Sequence, residues 1–437
     1  MKQTKLLIIV GLLVLMAVSW KSMLDTAVTK EKEYNSFVNL ARKQGDKGIH
    51  TDAIPCYKKA IAMRDTISLR LEFADYYKKW GNNSACLKVI ENIVEDYPKS
   101  PNGYERLCLY YKEAGDYRKA YNAIGRAKKR NIQSEVLDGI YQEIYNTYEL
   151  KSTNFATVSS CLGKYYIVTN KDGQFGYTYA NGNTAASCIY KQAAPFYDNN
   201  YAGVITKEKE IYLMNEKAEK KEIDEENKII DDIKAIGENK MAIKVNGKYH
   251  FADTKFKILF GEYDDAGVFE NGVAPVRIGN EWFLINSNGQ KVTETAYEDI
   301  KRDDGGKAFK NNAGFVKVKG LYYLVNPQGA KISETGFTDA FLFESDQPTS
   351  VKIGDKWGFL SLDGQVVKEA TYSEARPFSN ELAAVCIDGE WGYITLDTYE
   401  IVIEPVFEEA RELNNYGYAF VKQNNIWKTL FLYRYGM

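Results

Sequence analysis

Hydrophobic and polar residues follow three different rules along this chain, and each rule predicts its own kind of element. From Leu6 to Trp20 the residues are uncharged and almost wholly apolar, with Lys2 and Lys5 ahead of them. Between residues 33 and 150 small and apolar residues recur at spacings of three and four, which marks one face of a helix. Beyond residue 151 the pattern changes to short bursts of alternation cut by Gly, Asn and Asp, which reads as short strands joined by tight turns. The expected order is multidomain, helical first and all-β afterwards.

The opening run fits a transmembrane signal anchor over residues 1–24. A spanning helix needs ~17–25 residues, and here Trp20 suits an interface while Met23 and Leu24 extend the span if Lys21 snorkels. The alternative is a cleaved signal peptide, because Ala17-Val18-Ser19 sets small residues at the right spacing after a short apolar region. Both readings keep Lys2 and Lys5 on the cytoplasmic side at the outset and export the chain beyond residue 24.

In the helical region Ala41, Ala74 and Cys108 anchor a repeat. Twelve positions after each comes Ala53, Cys86 or Ala120, then Tyr57, Ile90 or Ile124, then Ala60, Ile93 or Ala127. Gly45, Gly81 and Gly115 are expected at the turns between paired helices. Pro98 ends the second pair and Pro101 opens the third, while Pro55 inside a helix predicts a kink. Ser134 N-caps a last helix to Leu150, with Val136, Ile140, Ile144 and Tyr148 on one stripe.

The β region repeats at roughly 36-residue intervals. Leu382–Leu396 reads as a strand, a turn at Asp388-Gly389 and a second strand, and an aromatic slot recurs at Phe175, Ile211, Tyr249, Trp282, Tyr322, Trp357, Trp391 and Trp427, with Ile211 the one aliphatic occupant. Seven residues later Gly182, Gly289, Gly329 and Gly364 mark another turn. A phrase of aromatic, Ala and aromatic comes next, as in Tyr190/Ala193/Phe196 and Tyr372/Ala375/Phe378. The last unit stops after two strands, and the phrase it lacks stands upstream at Phe155–Leu162. That split predicts a closed ring of about eight blades, with the upstream strand completing the last one; the alternative is an open β-solenoid. Glu216–Lys228 is expected to protrude as a charged loop.

The helical region resembles a tetratricopeptide array of three repeats, at about residues 34–64, 67–98 and 101–130, within a domain spanning 33–150. The resemblance implies a groove for a protein or peptide partner lined by Arg42, Asp75, Lys78, Lys79, Glu105, Lys112 and Glu113; the plainer reading is a solvated face on a spacer. Residues 151–437 resemble WG-repeat proteins, on the strength of Trp357-Gly358 and Trp391-Gly392, with drifted copies at Trp282-Phe283, Tyr322-Tyr323 and Tyr249-His250.

Composition narrows the chemistry. A net charge of -2 with interspersed signs excludes a broad basic field, so nucleic acid is not expected as a partner. The 33 tyrosines fit repeat cores better than sugar-stacking platforms. Six cysteines without regular spacing read as packed thiols, and two isolated histidines give zinc or haem nothing to build on. No catalytic signature occurs, and Asp264/Asp265 and Glu408/Glu409 read as solvated turn edges. The expected function is non-catalytic, without cofactor: a membrane-anchored, single-pass, extracytoplasmic interaction scaffold of a bacterial cell envelope. A cell-wall or glycan binding module and a hydrolase with a site assembled across β repeats are the alternatives.

Overall fold

The computed structural model describes residues 2–160, 162, 165–197, 200–221 and 230–436, with side chains from Met16 onward except at 17, 18 and 22. Cys161 and the second half of the charged insert lie outside the described residues. The chain divides into a unit of residues 1–145 with 436–437, and a unit of residues 146–435.

The first unit contains α1 (Lys2–Asp46), α2 (His50–Met63), α3 (Ile67–Lys79), α4 (Asn83–Asp96), α5 (Pro101–Glu113), α6 (Tyr117–Lys129) and α7 (Glu135–Glu143). Short turns pair α1 with α2, α3 with α4 and α5 with α6, so partners run back along each other. All twelve aligned repeat positions are buried, none more than 3% exposed. Small residues at these positions let the paired backbones approach, and the branched Ile90, Ile93 and Ile124 fill the space between successive pairs. Asn82, Asp116 and Ser134 cap their helices by accepting from the amides of Ala85, Lys119 and Leu137.

Two expectations shift, at Gly45 and at the end of the last helix. The first turn uses Gly48, at φ 72°, and not Gly45. Gly45 lies inside α1, where a Cβ would come 2.8 Å from the Tyr76 ring. Helix α2 continues past Pro55 to Met63. Helix α7 stops at Glu143, because Tyr148–Ser152 is drawn into a β-sheet, and Val136 of the expected stripe is exposed in its first turn. The apolar run forms the start of α1, but most of its side chains fall outside the described ones. Among the described residues no helix is long and apolar enough to cross a membrane.

The second unit is an eight-bladed β-propeller, built from eight antiparallel sheets. A typical blade comprises the inner pair Glu374–Ala375, two central strands Leu382–Ile387 and Glu390–Thr395, and an outer strand Ile401–Phe407. Asp388 and Gly389 both have positive φ, at 52° and 90°, which suits the two-residue hairpin turn read from the sequence. Blades four and five lack a regular outer strand and carry isolated bridges there, such as Trp282 with Tyr297 and Tyr322 with Phe337.

Closure is visible in the packing. Eight sheets in an open stack have seven interfaces, whereas eight hydrophobic clusters join neighbouring sheets here, and the eighth links Val158, Tyr166 and Val168 of the first blade to Phe420 and Trp427 of the last. The ring is closed and the solenoid alternative fails, but the closing strand is not the expected one. Tyr148–Ser152 pairs with Ile426–Leu432 as the outer strand of the last blade, in register from Tyr148 opposite Leu432 to Ser152 opposite Lys428. Thr157–Val158, within the phrase read as the missing strand, is the inner strand of the first blade and pairs with Val168 and Thr169. The phrase opens the blade after it; Leu150 and Tyr148 supply the apolar residues that close the one before.

The signature glycine has a steric cause. A Cβ on Gly392 would lie 2.5 Å from the Ile403 carbonyl oxygen and 2.8 Å from the Pro405 nitrogen, and Gly358 and Gly176 meet their outer strands in the same way. At each site the outer strand bulges inward: Trp391 faces Phe407, but Tyr393 faces Ile403. Where Tyr323 replaces the glycine in blade five, the small residue has moved across, to Gly336, whose own Cβ would touch the Tyr323 ring.

Candidate functional site

The residues read as lining a helical groove occupy the first helices of successive pairs. They form a ladder of contacts from helix to helix. Arg42 of α1 binds Glu72 of α3 through two bonds of 2.8 and 2.7 Å, and Asp46 faces Lys79 at 3.8 Å. Next, Asp75 pairs with Arg106 and Lys78 with Glu113, joining α3 to α5. Lys112 then reaches Glu143 of α7, while Glu105 accepts from the Ser134 hydroxyl at 2.5 Å. Each of the seven therefore has a partner. The pair at Arg42 is bidentate: its bonds hold the Glu72 carboxyl below the usual carboxylate range against the opposing effect of burial, with Tyr57 also donating to it. Beside the ladder Trp80 is 43% exposed, with its ring stacked 4.0 Å from that of His50.

The aromatic slots behave as core. Tyr249, Trp282, Tyr322, Trp357, Trp391 and Trp427 are buried, while Phe175 and Ile211 are half-buried. Arginine guanidinium groups lie over three of the tryptophans, Arg302 at 3.9 Å from Trp282, Arg411 at 5.0 Å from Trp427 and Arg376 at 5.6 Å from Trp391. Tyrosines tie blades together, as where Tyr177 donates to the Ala194 carbonyl at 2.6 Å. The carboxylate pairs brace turns: Asp264 accepts from the Gly279 amide at 2.7 Å and Glu408 from that of Asn425 at 3.0 Å. Cys56, Cys86, Cys108, Cys188 and Cys386 are free thiols, and burial pushes Cys108 up to about 12, far from a reactive thiolate.

A feature that sequence reasoning missed lies where the inner turns converge. Strands alternate in direction, so turns leaving the inner strands and turns entering the outer strands share one end of the ring. There a cavity of about 620 Å³ is lined by Glu344, Glu412, Ser379, Asn414 and Tyr416 from the inner turns and by Tyr179 from an outer turn of the first blade. Glu412 is 3% exposed, and its Oε2 has no hydrogen-bond partner among the described residues. Lys310 binds Glu344 at 2.9 Å and Asp303 at 3.4 Å, and Tyr197 donates to Asp303 at 2.7 Å. Burial pushes the Glu344 carboxyl up to about 7; Lys310 pulls it down, while Glu412 and Asp303 add to the rise. The same two acids, Glu344 and Asp303, hold the Lys310 ammonium charged against the cost of burial. Two arginines, Arg411 and Arg376, lie in the same neighbourhood as Glu412; Arg411 is engaged with the Val158 carbonyl at 3.1 Å and with Glu409 at 3.4 Å, and the buried Nε of Arg376 has no hydrogen-bond partner among the described residues. The signal in the sequence was slight: the residue after the phrase's closing position is Tyr197, Glu270, Glu344, Ser379 or Asn414, polar but with no one residue type kept through the series.

Among solved structures, Saccharomyces cerevisiae Sqt1 is similar at 12% identity, over 65% of this chain and 97% of that one, with a TM-score of 0.37. KlHsv2 with loop 6CD replaced by a Gly-Ser linker is similar at 9% identity over the same shares, with a TM-score of 0.35. A tetratricopeptide repeat protein from Parabacteroides merdae ATCC 43184 is similar at 16% identity over 26% of this chain and 48% of that one, with a TM-score of 0.21. No curated protein matches the chain by sequence. Within the propeller, residues 251–282, 357–391 and 391–427 match the family described as the WG containing repeat.

Proposed function

We propose that the protein is a non-catalytic interaction scaffold whose tetratricopeptide-like helical face captures a peptide segment of a partner, and that residues 1–24 tether it to the membrane of a bacterial envelope with the rest of the chain outside the cytoplasm. The observation that carries the first part is the exposed ladder along α1, α3, α5 and α7. Both members of the Lys78 and Glu113 pair stay about half-exposed, and exposed pairs contribute only about 0.2–1 kcal/mol each. A charged peptide laid along the face exchanges such pairs for its own at little cost, and the mixed signs fit a segment that alternates acidic and basic residues. The tether rests on the uncharged run from Leu6 to Trp20 behind Lys2 and Lys5.

A photo-crosslinking residue at Glu105 should give discrete adducts in cells. Reversing Lys78, Lys79 and Lys112 to Glu together should remove them while shifting stability by only ~0.5 kcal/mol per site. Adducts that persist would make the helical unit a spacer. For the tether, protease added to intact cells after wall removal should digest the chain beyond residue 25 while cytosolic markers survive; full protection would place the domains inside.

A further inference from the structure

The propeller cavity is chemically unlike the helical face and stands independent of the reading above. Its wall carries Glu412, nearly sealed from solvent, with a carboxylate oxygen that no donor among the described residues reaches. A buried acceptor left unmet is costly, more so when it is ionised, and such groups persist where something else supplies the donor. Glu344 shares the cavity, and its one close cation, Lys310, is divided between Glu344 and Asp303. Among the described residues Glu344 and Asp303 share Lys310 here, Arg411 is occupied by Val158 and Glu409, and Arg376 is the further cation close to Arg411. At the mouth stand phenol rings: Tyr416 is 75% exposed without a core role, Tyr179 is 42% exposed, and Tyr418 packs at 4.5 Å on Phe431. Aromatic faces around a buried carboxylate favour a positive charge over a neutral polyol, since ring quadrupole and carboxylate both attract it. A cavity of about 620 Å³ has room for an alkyl chain as well as its charged head.

We infer that this cavity binds an organic cation, a primary ammonium or guanidinium on a short alkyl chain, with Glu412 as its counter-ion and Tyr179 and Tyr416 flanking the chain. The cation comes either as a free amine or as a lysine or arginine side chain of another polypeptide. Binding has a proton signature, because a positive charge beside Glu344 lowers a carboxyl now raised to about 7, with Lys310, Asp303 and Glu412 the charged groups facing it. Uptake of the cation therefore releases protons near neutral pH.

Calorimetry on the full-length protein in detergent, with cadaverine, agmatine, Nα-acetyl-lysine methylamide and N-acetylglucosamine as probes, tests this. At least one cationic probe should bind with one-to-one stoichiometry, and its apparent heat should change with the ionisation enthalpy of the buffer. Tighter binding of the free diamine assigns a soluble amine; tighter binding of the capped lysine assigns a polypeptide side chain. Glu412→Gln, which keeps the shape and removes the charge, should weaken binding by about 10-fold or more. Tyr416→Ala alters an exposed ring and leaves the fold intact, so it reports even if the first variant fails to fold, and it should weaken binding by about 3-fold or more. Absence of heat with every cation, equal affinity for N-acetylglucosamine, or undiminished binding in both variants overturns the inference.

Discussion

Cysteines at Ser152 and Lys428 should lock the ring shut. These positions face each other where the strand before the first blade meets the last strand of the eighth. The Thr153 amide donates to the Trp427 carbonyl at 2.9 Å, so the adjacent pair, 152 with 428, occupies a non-hydrogen-bonded site. Cα atoms at such sites are about 4.5 Å apart, inside the range that a disulfide spans without strain. The bond would close a loop of about 276 residues, for which chain entropy alone gives an upper bound of about 5–6 kcal/mol. For a unit of this size that corresponds to a rise of about 9 °C in the unfolding midpoint. The assay is mild oxidation of the native protein, identification of the crosslinked peptide by mass spectrometry, and thermal melts with and without reductant. A control pair at Thr157 and Lys428 should not form, because Thr157 belongs to the inner strand of the first blade. If the control crosslinks in preference, or the intended pair forms only in denaturant, the closing strand has been misassigned. Closure without any gain in midpoint would show that the two edges part before the rest of the ring unfolds.

Gly392→Ala should destabilise the propeller by about 1–3 kcal/mol in urea melts, since the new methyl meets backbone at 2.5 Å that cannot rotate away. Tyr177→Phe should cost about 1–2 kcal/mol by the same measurement, because it strands the Ala194 carbonyl inside the junction of the first two blades. Glu344→Gln should change how stability depends on pH. The folded carboxyl, raised to about 7 from an ordinary value of 4.5, holds its proton where the unfolded one has lost it. It therefore removes stability as pH rises from about 4.5 to 7, and the wild type should lose more urea midpoint across that interval than the variant.

The repeat was legible because it is written in core residues. Trp357, Trp391 and their counterparts keep phase since each must fill the same space between two blades, and Ala41, Ala74 and Cys108 do so since each sits where two helices touch. Closure was legible as well, from the incomplete last unit, but the wrong segment was matched to the gap. The phrase at Phe155–Leu162 is a sequence copy of the inner turn, whereas the outer edge of a blade tolerates many sequences: it needs only alternation and backbone groups, which Tyr148–Ser152 provides without any aromatic phrase. The same weakness hid the end of α7. Ile144 and Tyr148 continue a helical stripe on paper, and five residues of sheet pairing outweigh the few helical bonds forgone.

What escapes a repeat is informative for the same physical reason. Inner turns meet around the axis of the ring, so their side chains crowd one another instead of a neighbouring blade, and eight copies of one residue there would repel if charged and collide if bulky. Variation at Tyr197, Glu270, Glu344, Ser379 and Asn414 is thus what a closed ring imposes, and it leaves this end of the propeller free to carry unlike groups side by side. Desolvating Glu344, Glu412 and Asp303 costs stability that eight inter-blade cores can offset, and a single small core could not. Binding chemistry in such a fold collects at the positions where its period breaks, and Glu412, with its unmet oxygen, is another: it stands two residues before Asn414, where other repeats carry Val268, Leu342 or Pro377.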